Sequence, residues 1–178
     1  MLIVAGKPIR GTERVFDWTA TGLAFAPPYK GCRARTQPCT LGVGHWTGGE
    51  AGTMTSADDG KRVYDVLRNR TNDAGKPTPL SVHFCIGYDG AIWQYADPAA
   101  VVCLHAGAVN DFSWGVEIVN RGLPPDQGRG REEVAHKVHG RLVTQLAFTQ
   151  SQLDSWLWLC DAVQAALRLT RAVPPPEL

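Results

Sequence analysis

The sequence predicts strands interleaved with helices, an α/β or α+β domain built on a mixed central sheet. Three stretches carry that expectation. "LSVHFCIGYDGAIWQYAD" (residues 80–97) sets two β-rich runs either side of Asp89-Gly90, the dipeptide that tight hairpin turns favour. "SWGVEIVN" (residues 113–120) is a buried-strand pattern. Residues 149–169 repeat apolar positions at three- and four-residue steps, as an amphipathic helix does.

In chain order, residues 1–40 are rich in turn formers, among them Gly22, Pro27, Pro28, Gly31 and Pro38, and read as a wrapping segment with a strand or two. "LGVGHWTGG" follows as a strand with Leu41, Val43 and His45 on one face, opening into a Gly48-Gly49 loop. Residues 57–70 place Val63, Tyr64 and Leu67 on one helical stripe. After the hairpin and the 113–120 strand, residues 121–148 turn polar, charged and Gly/Pro-punctuated, and read as a long surface excursion. Thr149-Gln150-Ser151-Gln152 has capping-box form and starts a helix whose buried stripe is Leu153, Trp156, Leu157, Cys160, Val163 and Leu167. Pro174-Pro175-Pro176 ends regular structure.

At 178 residues the chain suits one domain with a proper core. Lys and Arg number 18 against 17 Asp and Glu, so the net charge of +1 gives no electrostatic case for nucleic acid or an anionic membrane. The opening apolar run, before Gly6 and Lys7, is too short for a signal-peptide core or a spanning helix, and a soluble protein is expected. Five cysteines cannot all pair within one chain. Cys85, Cys103 and Cys160 sit among apolar neighbours and read as small buried hydrophobes. For Cys32 and Cys39, in the basic loop "GCRARTQPC", a local disulfide and free thiols both stay open.

The chemistry-bearing candidates are His45, His83, His105 and Glu117. His45 closes its strand at the edge of a cleft. His83 alternates with Val82 and Phe84 and reads as a packed, hydrogen-bonded histidine pointing away from that cleft. His105 precedes Ala106-Gly107, whose small size lets a ligand approach the backbone. Glu117 shares a face with Ser113 and Gly115, which leave space beside it, while Trp114, Val116 and Ile118 fill the other face. On pattern alone two readings of Glu117 stand level: a general base over a hollow floor, or a partly buried carboxylate paired with an Arg from residues 121–148.

The ordered set "GHWTGGE", "LSVHFCIGYDGAIWQYAD" and "HAGAVNDFSWGVEIVN" resembles the N-acetylmuramoyl-L-alanine amidase family, whose fold peptidoglycan recognition proteins share. The resemblance covers roughly residues 40–120 and the helix at 149–169. It implies an α/β fold with a central mixed sheet flanked by helices, peptidoglycan or muropeptide as partner, and a Zn2+ hydrolase that cuts the amide between N-acetylmuramic acid and L-alanine. It assigns His45 as a zinc ligand, Glu117 as the catalytic carboxylate, and Trp46, Thr47, His105, Ala106 and Gly107 to the substrate groove; Val82 stands where some members carry a catalytic tyrosine. In the family two further zinc ligands follow the long helix, and no such His with Cys or Asp occurs in this sequence after residue 169. One histidine does not hold catalytic zinc, which normally takes three protein ligands. His136 and His139 are the alternative donors in the sequence. A muropeptide-binding module without hydrolysis is therefore the competing expectation, with a cysteine hydrolase using Cys85 or Cys103 behind it, since apolar strands stabilise a thiolate poorly.

Overall fold

The structure is a computed structural model that describes residues 1–11, 14–47, 59–120, 132–138 and 141–169. Strands β1 (Leu2–Val4) and β2 (Lys7–Ile9) form an antiparallel pair; β3 (Val15–Phe16), the short helix α1 (Trp18–Thr21) and β4 (Cys32–Ala34) complete the N-terminal segment. Then come β5 (Leu41–Trp46), α2 (Asp59–Arg68), β6 (Phe84–Ile86), β7 (Ile92–Gln94), β8 (Val101–Cys103), a 3-10 helix (Gly107–Phe112) and β9 (Ser113–Ile118). A hairpin of β10 (Glu133–Val138) and β11 (Arg141–Leu146) precedes α3 (Gln150–Leu167).

The central sheet runs β3-β7-β6-β9-β5. Only β6 and β7 are antiparallel within it, so the sheet is mixed, as expected. One face, carrying Phe84, Ile86, Ile92, Trp114, Val116 and Ile118, packs against Leu159 and Val163 of α3. The other gathers Cys85 and Tyr95 with Phe25, Val63, Tyr64, Leu67 and Cys103, beneath α2 and the β4–β8 pair. No described helix is long and apolar enough to cross a membrane.

The β6–β7 turn is built as the Asp-Gly signal requires. Gly90 takes φ +80°, and its N–H donates to the Gly87 carbonyl at 3.0 Å. Helix α3 locks this turn from outside: Thr149 Oγ1 donates to the Tyr88 carbonyl at 2.8 Å and Ser155 Oγ to the Gly90 carbonyl at 2.7 Å. The Thr149–Gln152 capping box is present in full.

Two expectations change, and one open alternative closes. Within the expected surface excursion, β10 and β11 form a regular antiparallel pair in which Gln145 and Leu146 are buried; Leu146 O also accepts from Asn120 Nδ2 at 2.6 Å. Helix α3 is rotated relative to the apolar stripe. Leu153 and Leu157 are 39% and 56% exposed, whereas Gln152 and Ser155 face inward, because each is a bonded bridge: Gln152 Nε2 donates to the Val119 carbonyl at 2.7 Å, and Ser155 holds Gly90. Cys32 and Cys39 lie in different cores, Cys39 under α3 and Cys32 beside Phe25, so no local bridge joins them. The Gly48-Gly49 loop, residues 121–131, His139 and the Pro174–Pro176 stop lie outside the described residues.

Candidate functional site

Alternation along β9 brings Ser113, Gly115 and Glu117 to the face opposite Trp114, Val116 and Ile118. Parallel pairing sets Glu117 in register with His45 on the edge strand β5 and with Cys85 on β6. His45 and Glu117 are therefore cross-strand neighbours on one face.

The floor beside Glu117 is not hollow. The His105 imidazole lies on Gly115, so close that a Cβ there would fall 2.4 Å from His105 Nδ1. His105 Nδ1 is 3.1 Å from His45 Nε2, and His105 Nε2 is 3.2 Å from Ser113 Oγ. A neutral imidazole has one N–H and one bare nitrogen. The chain His45–His105–Ser113 is thus satisfied with its protons aligned in either direction.

His83 is also part of this stack, contrary to the expectation that it points away: its ring centroid is 5.9 Å from that of His105. Both of its nitrogens are committed to backbone. Nε2 donates to the Val101 carbonyl at 2.9 Å, and Nδ1 accepts from the Gly115 N–H at 3.0 Å. His83 fixes β9 against β8 and has no nitrogen left for a ligand.

Burial sets the charge state of the group. Loss of water pushes His83 down to about 3, helped by His105 and Arg35. Burial, His45 and Arg35 bring His105 down to about 4, and burial lowers His45 too. All three imidazoles are neutral near pH 7. Glu117 moves the other way, up to about 7, through burial. Its Oε2 is buried and has no hydrogen-bond partner among the described residues. A carboxyl that titrates near neutrality both accepts and returns a proton readily.

Residues that sequence reasoning missed hold this stack. Asn110 Oδ1 accepts from the N–H groups of His105 and Ala106 at 3.0 and 2.7 Å and shapes the turn in which Gly107 takes φ +59°. Arg35 donates to the carbonyls of Asp111, Val101 and Ser113 at 2.7, 3.1 and 2.7 Å, clamping the end of the 3-10 helix to β8 and β9. Asn110 carries no sequence signal beyond being a polar residue near the "HAG" stretch, and Arg35, in the "GCRARTQPC" loop, has nothing in the sequence to tie it to β8 and β9.

Of the groove residues, His105 joins His45 on the face that carries Glu117, and Ala106 and Gly107 follow it into the turn held by Asn110. Thr47 does so only indirectly: its Oγ1 donates to the Asn120 carbonyl at 2.8 Å and accepts the Asn120 N–H at 3.1 Å, extending the β5–β9 pairing. Trp46 is not brought to the site. It is in register with Ile118 on the α3 face.

A metal fits this donor set poorly. Among the described residues no group of three His, Cys, Asp or Glu converges to hold an ion, and the facing nitrogens of His45 and His105 are bonded to one another. His136 is carried on β10. Cys85 and Cys103 are fully buried with thiols pushed up by burial, which removes the nucleophile a cysteine hydrolase needs.

The fold is shared with solved structures. Drosophila peptidoglycan recognition protein SD is 15% identical, with a TM-score of 0.58 over 89% of this chain and 79% of that one. The complex of peptidoglycan recognition proteins LCa and LCx with tracheal cytotoxin gives 16% identity and a TM-score of 0.56 over 88% and 79%. An AmpD derivative gives 21% identity and a TM-score of 0.54 over 95% and 80%. No curated protein sequence matches significantly. The family model for N-acetylmuramoyl-L-alanine amidase matches residues 35–173, which span the whole β5–β9 site and α3, and the chain belongs to that family.

Proposed function

We propose that this chain hydrolyses peptidoglycan at the amide between the lactyl group of N-acetylmuramic acid and L-alanine, with Glu117 moving the proton. The observation that supports it is a half-buried carboxyl whose buried Oε2 has no partner among the described residues, titrating at about 7 beside His45 on the outermost strand of the sheet. Ionised Glu117 takes a proton from water as the oxygen adds to the amide carbon. The resulting acid returns that proton to the nitrogen, the C–N bond breaks, and a carboxylic acid and a free L-alanine amine leave. His105 keeps the His45 ring in place through the 3.1 Å contact. Ala106 and Gly107 leave the backbone open where substrate approaches, and Thr47 shapes the end of β5; Trp46, on the far face, is left out of the contact set. No step here runs through zinc, because the described residues contribute His45 and no complete ligand set.

A second reading has one observation in its favour. The His45–His105 bond already satisfies the nitrogens that a metal would use, as in a module that binds muropeptide without cutting it. One experiment separates the two: peptide release from muropeptide, and binding of tracheal cytotoxin, measured on wild type and Glu117→Gln with and without added zinc. The hydrolytic reading expects wild-type turnover that falls roughly 10²–10⁴-fold in Glu117→Gln with binding retained. Binding without turnover in folded wild type selects the module, and neither binding nor turnover sinks both.

A further inference from the structure

Cys32 and Cys103 are direct partners in the antiparallel β4–β8 pair. The backbone bonds beside them define the kind of pair. Leu104 N–H donates to the Gly31 carbonyl at 3.1 Å, and farther along Arg35 N–H donates to the Ala100 carbonyl at 2.8 Å. Those bonds lie outside the Cys32–Cys103 pair, which is therefore a non-hydrogen-bonded one. Such pairs bring their Cα atoms to about 4.5 Å, the closer of the two antiparallel spacings, with side chains on the same side. A disulfide spans Cα separations of about 4.4–6.8 Å. Of the five cysteines only these two are registered partners: Cys39 and Cys160 belong to the core under α3, and Cys85 is in register with Glu117 and Trp93.

We propose that Cys32 and Cys103 form a disulfide under oxidising conditions, a covalent staple between β4 and β8. This inference stands apart from the hydrolytic reading and does not depend on it. As thiols the two are accommodated: Cys32 Sγ donates to the Tyr29 carbonyl at 3.5 Å, and Cys103 is hydrogen bonded to Ser81. The staple closes a loop that contains α2, β6 and β7, and it anchors β8 two residues before His105. The oxidant is a low-molecular-weight disulfide such as glutathione disulfide. One protein thiolate attacks it, forming a mixed disulfide and releasing one glutathione thiolate. The second protein thiolate attacks the protein sulfur of that mixed disulfide and releases the other. Two cysteines are oxidised, one disulfide is reduced to two thiols, and the protons pass to those thiols. Burial raises both thiols in the folded chain, so the bond forms while the strands assemble and only slowly afterwards.

The test refolds the full chain with glutathione disulfide and, separately, under reductant. Non-reduced digestion after Lys and Arg combined with cleavage before Asp puts Cys32 in residues 31–33 and Cys103 in residues 97–110, apart from Cys39 and Cys85. The expected result is a cross-link between those two peptides, with a melting temperature that drops by roughly 10 °C on reduction. Cys32→Ala, at the less buried of the two positions, should fold and melt at one temperature with or without reductant. Five free thiols after oxidative refolding, or a cross-link between any other pair, overturns the proposal. So does redox-dependent melting that persists in Cys32→Ala.

Discussion

The two faces of β9 follow different rules within six residues. Toward α3 the strand presents Trp114, Val116 and Ile118, and Trp114 sits 5.7 Å from the Phe84 ring and 5.6 Å from that of Trp156. Toward the other side it presents Ser113, Gly115 and Glu117, with a histidine filling the space that the glycine leaves. The first face stabilises the fold by removing apolar area from water. The second holds neutral imidazoles and a carboxyl at a cost in burial, an arrangement that packing alone does not explain.

The largest expected effect lies on the apolar face. Trp114→Ala should lower the unfolding free energy by roughly 3–5 kcal/mol, read by urea denaturation with fluorescence or circular dichroism. A loss below about 1 kcal/mol would mean that this face is not what holds the sheet to α3.

Glu117→Gln should act in the opposite direction. The folded carboxyl titrates at about 7 against an ordinary value of 4.5. Below pH 4.5 it is protonated in both states and contributes nothing. Between pH 4.5 and 7 the unfolded chain ionises while the folded one keeps its proton, so stability falls as pH rises. Above pH 7 the deficit is complete, at most about 3 kcal/mol. Glutamine removes that deficit. The variant should match wild type at pH 4 and exceed it at pH 8, the histidines being common to both. An equal difference at the two pH values would break the contrast between the faces.

Gly115→Ala should be the mildest in stability, roughly 1–3 kcal/mol, because one methyl displaces one ring. Its Cβ would meet the His105 imidazole at 2.4 Å, so the contacts to His45 and Ser113 must open. Nitrogen-15 NMR of the histidine side chains reads this directly. Unchanged His105 signals would show that the ring does not rest on Gly115.

Strands β5, β6, β7 and β9, the Asp89-Gly90 turn and the α3 cap were legible because each is a local pattern. So was Glu117, a carboxylate out of place in an apolar strand. The β10–β11 hairpin was not, since the Gly/Pro-rich text before it masked the alternation in "EVAHKV" and "RLVTQL". The true buried face of α3 was hidden for another reason. Gln152 and Ser155 look like surface residues until their acceptors, the carbonyls of Val119 and Gly90, arrive from distant segments. The placement of His105 over Gly115 depends on Asn110 and Arg35 in the same way. Long-range polar contacts leave no periodicity to read.

The clasp between α3 and the β6–β7 turn has a further consequence, as a check on strand alignment. In β6 a slip of one residue would send His83 and Cys85 to the α3 side and Phe84 to the opposite core. Such a slip would also carry the carbonyls of Tyr88 and Gly90 away from Thr149 and Ser155, and α3 would dock with two hydroxyls unanswered. Misaligned hairpins are therefore rejected at the point where the helix closes, at the opposite end of the strand from His83. The helix packed on one face of the sheet thereby fixes that His83 and Cys85 lie on the other.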